Sequence, residues 1–489
     1  MSKPVWTLRL WRCALGAVGL AALSACNLAP RWERPAVALP EQWPGVQGTA
    51  SSPPAAVAAA ATASAPSADA LGWESVYPDA RLQGLIRTAL ARNHDLRVAI
   101  ARQEQARAVW GIQRADQFPS ASVSLSRTGA FTPGGVTASP VGFNTNRYDA
   151  NLNLLSFELD FWGRVANLSE AARASFEASA QDQRVVRLGL ISEVANNYLS
   201  WLELQEREQL AEQTWHTRQQ YLSLTQRRRD VGVASDLEVA QVQGAVASAH
   251  ADWLALSRQR QQAFNALSLL VGGQMPPDLP AGRSLQTQDI TTRWAADLPS
   301  QVLLRRPDVQ AAESRLRAAN ANIGAARAAF LPRIQLTGAV GTASPNLSTL
   351  FQDGTRSWSF VPSLQQPLFD AGRTTGNVDL AEARKVEAVA NYEKTLQQAF
   401  REVADLLVAR DTLQAQVQAQ QAFALSQQQR LQLTQVRYDV GSVSQLEWLD
   451  AQRDHHNAQQ ALRQVQRVLY ATQAQLYKAL GGGDDLAAR

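Results

Sequence analysis

One fifteen-residue stretch occurs twice, and it limits what this chain can fold into more than any other feature. The first copy runs from Leu224 to Glu238 and the second from Leu433 to Glu447. In each, a glycine (Gly232 or Gly441) follows a helical run and suits the left-handed conformation that closes a helix C-terminus. Ser235 or Ser444 stands three residues later, with Glu238 or Glu447 three further on, the capping-box spacing of a new helix. The pattern predicts two tight helical hairpins in tandem, with tips near 232 and 441.

The flanks repeat as well. Long helical runs lead into the turns, over 163–231 and 372–440, and at ~1.5 Å per residue each would reach ~100 Å. No membrane is that thick, so these helices must project away from one. The return runs, 235–270 and 444–480, carry coiled-coil seams. Ala249, Trp253, Leu256, Arg260, Ala263, Leu267 and Leu270 form the first, and Ala458, Leu462, Val465, Leu469, Thr472, Leu476 and Ala479 the second.

Upstream of each long run, helical periodicity over 82–117 and 307–330 stops at Phe118-Pro119 and Leu331-Pro332. Proline cannot continue either helix and biases the preceding residue towards an extended backbone. Beyond each proline the sequence alternates with period two. Val123 and Leu125 alternate with Ser122, Ser124 and Ser126, and Ala150, Leu152 and Leu154 with Asn151 and Asn153. Ile334 and Leu336 alternate with Arg333, Gln335 and Thr337, and Trp358 and Phe360 with Ser357 and Ser359. These read as four strands of about ten residues, the length a tilted transmembrane β-strand needs. Two soluble hairpins on a core would show the same alternation. The loops at 132–146 and 341–355 are rich in Gly, Pro, Ser, Thr and Asn, as extracellular loops are.

Four strands cannot close a barrel, and open sheet edges are not tolerated in hydrocarbon. Several chains must share one barrel, a dimer with about eight strands or a trimer with about twelve. The fold class read from the residues is therefore α+β, a transmembrane β-barrel shared between chains and joined to an extended bundle of paired helices, built from a tandem repeat. Repeat 1 covers 72–272, with its strand pair over 119–158. Repeat 2 covers 300–481, with its strand pair over 332–369. A Gly- and Pro-rich connector spans 273–299, and 482–489 is a C-terminal tail.

The first 25 residues read as an export signal. Lys3, Arg9 and Arg12 precede an apolar run from Cys13 to Leu23 that is too short to span a bilayer. The run ends in Leu23-Ser24-Ala25-Cys26, which resembles a lipobox whose cysteine, Cys26, is acylated; Asn27 after it implies outer-membrane sorting. Residues 26–71 then form a lipidated extended segment and an Ala/Ser/Pro linker that has no means of packing a core.

Composition excludes several functions. The net charge of +4 falls close to neutral once the leader is gone, and no basic stripe with aromatics supports nucleic-acid binding. With Cys13 and Cys26 as the only cysteines, structural disulfides and cysteine-rich metal sites drop out. His94, His216, His250, His455 and His456 lie scattered without ligand spacing, and the adjacent pair His455-His456 reads as solvated surface. No constellation for covalent chemistry is present, so no enzyme, resident metal or cofactor is expected beyond the lipid on Cys26.

Further residues complete the pattern: Pro30 to Pro35, Phe161 to Arg164, Arg305 to Asp308 and Pro367 to Arg373. With these and the two tip turns, the chain from the lipobox to about Leu480 resembles the TolC-like outer-membrane factors. It resembles specifically their lipoprotein branch, which is associated with resistance–nodulation–division (RND) efflux pumps. The family more often has tyrosine where Trp32 stands. The resemblance implies a homotrimer whose twelve-stranded transmembrane β-barrel crosses the outer membrane and continues into a long periplasmic α-helical barrel, partnered by a periplasmic adaptor and an inner-membrane pump. It implies a passive exit duct for small toxic compounds, closed at its periplasmic end. By position it assigns the acidic constriction to Glu447 and Asp450, with Arg437 and Tyr438 as a latch. It also assigns the adaptor-docking tips to Val231, Gly232, Val233, Val440, Gly441 and Ser442.

Glu447 and Asp450 are three apart and share a helix face, so a threefold axis would concentrate their charge in a narrow lumen. Each also has a local reading, Glu447 as the capping-box partner of Ser444 and Asp450 as an acid near a helix N-terminus. Gln241 stands in the first hairpin where the second has Asp450, and Arg228-Arg229 where it has Arg437-Tyr438. An acidic ring would thus come from the second hairpin alone. Two other functions use much of the same sequence, a duct for type I protein secretion and a lipid-anchored periplasmic coiled-coil scaffold; the scaffold needs no β-strands.

Overall fold

The computed structural model describes residues 27–36, 40, 43, 72–136, 140–290 and 300–482. The signal segment, Cys26 and its lipidation, most of the linker, residues 291–299 of the connector and 483–489 lie outside the described residues. The chain divides into two compact units: residues 1–36, 102–180 and 311–393 in one, and 37–101, 181–310 and 394–489 in the other.

The elements are α1 (Trp73–Val76), α2 (Ala80–Arg92), α3 (His94–Ala115), β1 (Ala121–Thr132), β2 (Phe143–Glu158), α4 (Arg164–Asp230) and α5 (Asp236–Leu270). After two short 3₁₀ turns come α6 (Pro307–Ala328), β3 (Arg333–Ser344), β4 (Arg356–Gln365), α7 (Arg373–Asp439) and α8 (Gln445–Ala479). Corresponding helices match in length: α4 and α7 have 67 residues each, α5 and α8 35 each, and α3 and α6 22 each.

The expected single helix over 82–117 is broken. Asn93 is extended, its side chain accepts from the Leu96 N–H at 3.0 Å, and its amide donates to the Leu270 carbonyl at 3.0 Å. An asparagine that caps the next helix competes with helix continuation, and periodicity hides this because the apolar stripe resumes in phase.

The first unit holds one antiparallel sheet in the order β1-β2-β3-β4. The strands are longer and less even than the ten residues expected, at 12, 16, 12 and 10. The excess on β2 is taken up by an irregularity between Leu154 and Phe157. A bulge of this kind lets two faces keep their character across a register shift. Val123 pairs with Leu152, Leu152 with Val340 and Val340 with Trp358, so one row of apolar side chains crosses all four strands. All four are exposed, Trp358 at 80%. Next to it run Ala121, Leu154, Gly338 and Phe360. On the opposite face, Ser124, Asn151, Gly341 and Ser357 are aligned in the same way. Gly341 is required there, because a Cβ would stand 2.1 Å from the Ala150 carbonyl oxygen.

In the same unit the segment 27–36 is strapped along α6. Arg34 donates twice to Glu313 at 2.9 and 3.1 Å, and the Arg317 guanidinium lies 5.3 Å over the Trp32 ring. Asn320 donates to the Pro30 carbonyl, Asn167 donates to the Asn27 side chain, and Gly324 lets Ala29 come close.

In the second unit the α8 seam is buried at all its expected positions but Val465, whereas the α5 seam is buried only in part, with Trp253, Arg260, Ala263 and Leu270 half-buried. Ala249, Leu256 and Leu267 on α5 are buried, as are Ala458, Leu462, Leu469, Thr472, Leu476 and Ala479 on α8. The connector is held by a feature the sequence did not disclose. Asp79, fully buried at the N-cap of α2, accepts from the Arg81 N–H, Tyr198 Oη (2.9 Å), Gln288 Nε2 (2.7 Å) and the Arg283 N–H (3.1 Å). Burial and this carboxylate push the Tyr198 phenol well above its usual range, so Tyr198 remains the donor.

Candidate functional site

Both helices that lead to the tips end in a Schellman motif. The Val233 N–H donates to the Arg228 carbonyl and the Gly232 N–H to that of Arg229, each at 2.8 Å. In the second hairpin the Ser442 N–H donates to the Arg437 carbonyl at 2.8 Å and the Gly441 N–H to that of Tyr438 at 2.9 Å. Gly232 has φ +78° and Gly441 +75°, the left-handed region this motif requires. Ser235 and Glu238 form the complete reciprocal capping box. Ser444 makes one arm only, accepting from the Glu447 N–H at 3.2 Å, so the expected box of the second hairpin is half-formed. The Glu447 carboxylate is left exposed to solvent. The side chains at the turns, Val231, Val233, Val440 and Ser442, are exposed.

Tyr438 is the centre of a cluster that joins the two hairpins. Its hydroxyl shares a short hydrogen bond with Tyr221 Oη on α4 and accepts from Arg228 Nη1 at 3.2 Å. Its ring stacks on Trp448 at 5.4 Å and 15°, and Tyr221 closes the triangle at 4.3 Å from Trp448. Trp448 is buried, and its indole N–H donates to Gln435 Oε1 at 2.5 Å. Gln445 spans from α8 to the Glu238 carbonyl at 3.4 Å. Burial and the neighbouring Tyr438 raise the Tyr221 phenol well above its ordinary value, so Tyr221 stays neutral at physiological pH.

Of the acidic candidates, Glu447 lies in the first turn of α8 and Asp450 two residues beyond Trp448. Asp450 pairs with Arg453 at 2.9 Å, and Arg453 also reaches Asp454, which Arg430 holds at 2.7 Å. Arg437, placed in the latch by resemblance, points its side chain to solvent, and within this chain only its backbone carbonyl serves the turn. Behind Asp450 a cavity between α4, α5 and α8 is lined by Arg218, Asp252, Asp450, Arg453 and His456. His456 is part-buried, not solvated as expected. It contacts Thr214 Oγ1 and Gln460 Nε2, each at 3.0 Å, and burial with the nearby Arg218 lowers its pKa to about 4. Among the described residues no group of three or more His, Cys, Asp or Glu side chains could hold a metal, and no helix is long and apolar enough to cross a membrane.

Sequence reasoning thus found Tyr438 but missed Tyr221 and Trp448. One signal was available. Against the register of the duplicated tips, Trp448 faces Val239 and Tyr438 faces Arg229, so the aromatics occur in one copy only. Departures from an internal repeat mark where the two copies do different work.

Strands with an apolar face and paired helices with capped tips define the class. The chain belongs to the family of outer membrane efflux proteins, whose model matches residues 85–273 and 298–482. It is 42% identical over 472 residues to the outer membrane protein OprJ of Pseudomonas aeruginosa, covering 95% of this chain and 94% of that protein. It is 37% identical over 463 residues to the cation efflux system protein CusC of Escherichia coli, covering 94% and 97%. The fold matches the open-state MtrE outer membrane channel of Neisseria gonorrhoeae with a TM-score of 0.83 at 35% identity, covering 94% and 98%. The outer membrane is its location, as for these relatives.

Proposed function

We propose that this chain is the passive exit duct of a tripartite efflux pump. Three copies close one barrel of about twelve strands, and small toxic compounds leave through it. The carrying observation is the apolar row Val123, Leu152, Val340 and Trp358 set against the polar row Ser124, Asn151, Gly341 and Ser357. A sheet that is apolar outside and polar inside suits lipid on one face and a wet lumen on the other. Its edges β1 and β4 have unpaired backbone groups, and hydrocarbon leaves them no partner except another copy. The matched lengths of α3 and α6, α4 and α7, and α5 and α8 support a duplicated unit as the origin of the architecture.

The remaining assignments follow from this reading. Cys26 carries the lipid, and the strap over 27–36 ties the chain beside it to the unit that contains the sheet. Asp450 and Glu447 form the acidic periplasmic gate, with Tyr438 and Arg437 holding the closed hairpin. The exposed turns at Val231-Gly232-Val233 and Val440-Gly441-Ser442 receive a periplasmic adaptor, and an inner-membrane pump of the RND type selects the cargo. A secretion duct would share the barrel, but the efflux family to which the chain belongs favours small molecules.

The test is Leu152→Asp together with a deletion strain. A charge at the centre of a lipid-facing strand costs up to ~2–4 kcal/mol for a basic residue and less for aspartate, and repeated in every copy it should abolish heat-stable trimers. The deletion strain should become hypersensitive to antibiotics, dyes, detergents or metal salts and be rescued by the intact gene. Normal trimers from Leu152→Asp would remove the lipid-facing assignment. An unchanged sensitivity profile in a strain lacking other such ducts would redirect the function to protein export.

A further inference from the structure

On both edge strands an arginine interrupts the apolar face on the side away from the helices, with Phe131 lying beyond Arg127 on β1. Arg127 follows Leu125 by two residues on β1, and Arg356 precedes Trp358 by two on β4, so both stand on the apolar face. The register places Arg356 in the row of Leu125, Ala150 and Thr342, and Arg127 one row further out beside Tyr148. The Arg127 guanidinium lies 5.6 Å over the Tyr148 ring. Both arginines are exposed, and among the described residues neither forms an ion pair. Arg147, on the polar face, shows the contrast: Asp149 holds it at 2.9 Å.

Arginine on a lipid-facing strand costs roughly 2–4 kcal/mol at the bilayer midplane and close to nothing at the interface. From Leu364 to Arg356 the strand rises roughly 26 Å, or roughly 20 Å of membrane after a tilt near 40°. That is most of the ~25 Å apolar band of such barrels, so Arg356 stands at its outer rim, and Arg127 one row beyond it. Tyr148 belongs there too, since amphipathic aromatics concentrate at membrane interfaces. When β4 of one copy meets β1 of the next, Arg356 and the next copy's Arg127 come to one seam. The outer leaflet at that rim consists of a phosphorylated glycolipid, and guanidinium groups pair bidentately with phosphate.

We propose that Arg127 and Arg356 form a clamp for the phosphate groups of the outer-leaflet glycolipid, one clamp at each seam between copies. This rests on the lipid-facing assignment of the sheet. The clamp ties the barrel's weakest lines, its intermolecular strand pairs, to the lipid around them.

The experiment uses the full-length assembly purified in detergent, titrated with a bisphosphorylated glycolipid, its dephosphorylated form, or inorganic phosphate. Native mass spectrometry counts bound lipid and a melting curve reads stabilisation. The bisphosphorylated form should bind and raise the melting temperature, and the other two should not. At about fivefold per arginine, Arg127→Gln and Arg356→Gln should each weaken binding and the pair should do so roughly twenty-five-fold. Arg147→Gln should leave it unchanged. Undiminished binding by the double variant, equal binding of the dephosphorylated lipid, or the same stabilisation by inorganic phosphate overturns the clamp. Leu152→Asp separates the two readings: if it assembles normally, the lipid-facing face itself is wrong. If it blocks assembly while the arginine variants keep full affinity, only the clamp is.

Discussion

Replacing Tyr438 by phenylalanine is the sharpest probe of the tip, because it removes one hydroxyl and leaves the ring to stack on Trp448. The lost atom shares the hydrogen bond with Tyr221 and accepts from Arg228. Arg228 is exposed and exchanges that bond for water at little cost, whereas Tyr221 is only partly accessible. A net loss of ~1 kcal/mol per copy is the reasonable figure for one such bond. If three hairpins release together, the closed state loses ~3 kcal/mol, on the order of a hundredfold in the closed-to-open ratio. If they release independently, each shifts about fivefold. Single-channel recording in planar bilayers separates the two regimes by the size of the rise in closed-state current. Tyr221→Phe should reproduce the effect, and the double variant should be little worse than either single one, because all three remove the same bond. An unchanged current in both single variants, with normal assembly, would refute the latch and move the barrier elsewhere. Additive effects would mean that the two hydroxyls act apart.

Three further outcomes follow from the same geometry. Asp450→Ala combined with Arg437→Ala should raise bilayer conductance and weaken cation preference without lowering the melting temperature, since Arg453 keeps Asp454 as a partner; unaltered selectivity would remove Asp450 from the lumen. His456, neutral in the fold with a pKa near 4 against about 6.5 when unfolded, binds fewer protons folded than unfolded between those values. Stability should therefore fall as pH drops from about 6.5 towards 4, by about 2 kcal/mol at pH 5, and His456→Gln should flatten that part of a denaturation-against-pH curve; an identical slope in the variant would assign the acid sensitivity to other groups. Asp79→Ala strands the donors of Tyr198, Gln288 and the Arg283 backbone and removes the cap of α2, and should cost about 3–5 kcal/mol in unfolding experiments; a loss under 1 kcal/mol would mean that water replaces the carboxylate.

What could be read from the sequence was what repeats or alternates. Gly232 and Gly441 announced the turns because left-handed backbone has few other uses in such a context, and the structure gives both positive φ. The seams on α5 and α8 and the alternation on β1 to β4 were equally plain. The illegible parts depend on residues far apart in the chain that carry no local period. Asp79 gathers Tyr198, Arg283 and Gln288 across some two hundred positions. The bulge between Leu154 and Phe157 leaves the composition of β2 unchanged. His456 looked like surface because its neighbour His455 shares a polar stretch, whereas helix packing from α4 encloses it. Within the candidate site, the acid pair was assigned by resemblance, and its spacing says only that both residues share a helix face. The Tyr221–Tyr438–Trp448 contact was not legible, since it joins hairpins more than two hundred residues apart.

The equal lengths of α4 and α7, and of α5 and α8, restrict how such a chain can diverge. Deleting one residue from α7 would shift its tip by ~1.5 Å and turn every side chain beyond the deletion by ~100°. That would rotate Tyr438 away from Tyr221 and take Thr434 and Ala424 off their buried faces at the same stroke. Only indels near a whole number of heptads, made together in both helices of a hairpin and matched in the other hairpin, would keep the faces in phase. Descendants of this gene should therefore vary freely by substitution and in the loops at 133–142 and 345–355, while the long helices keep their residue counts.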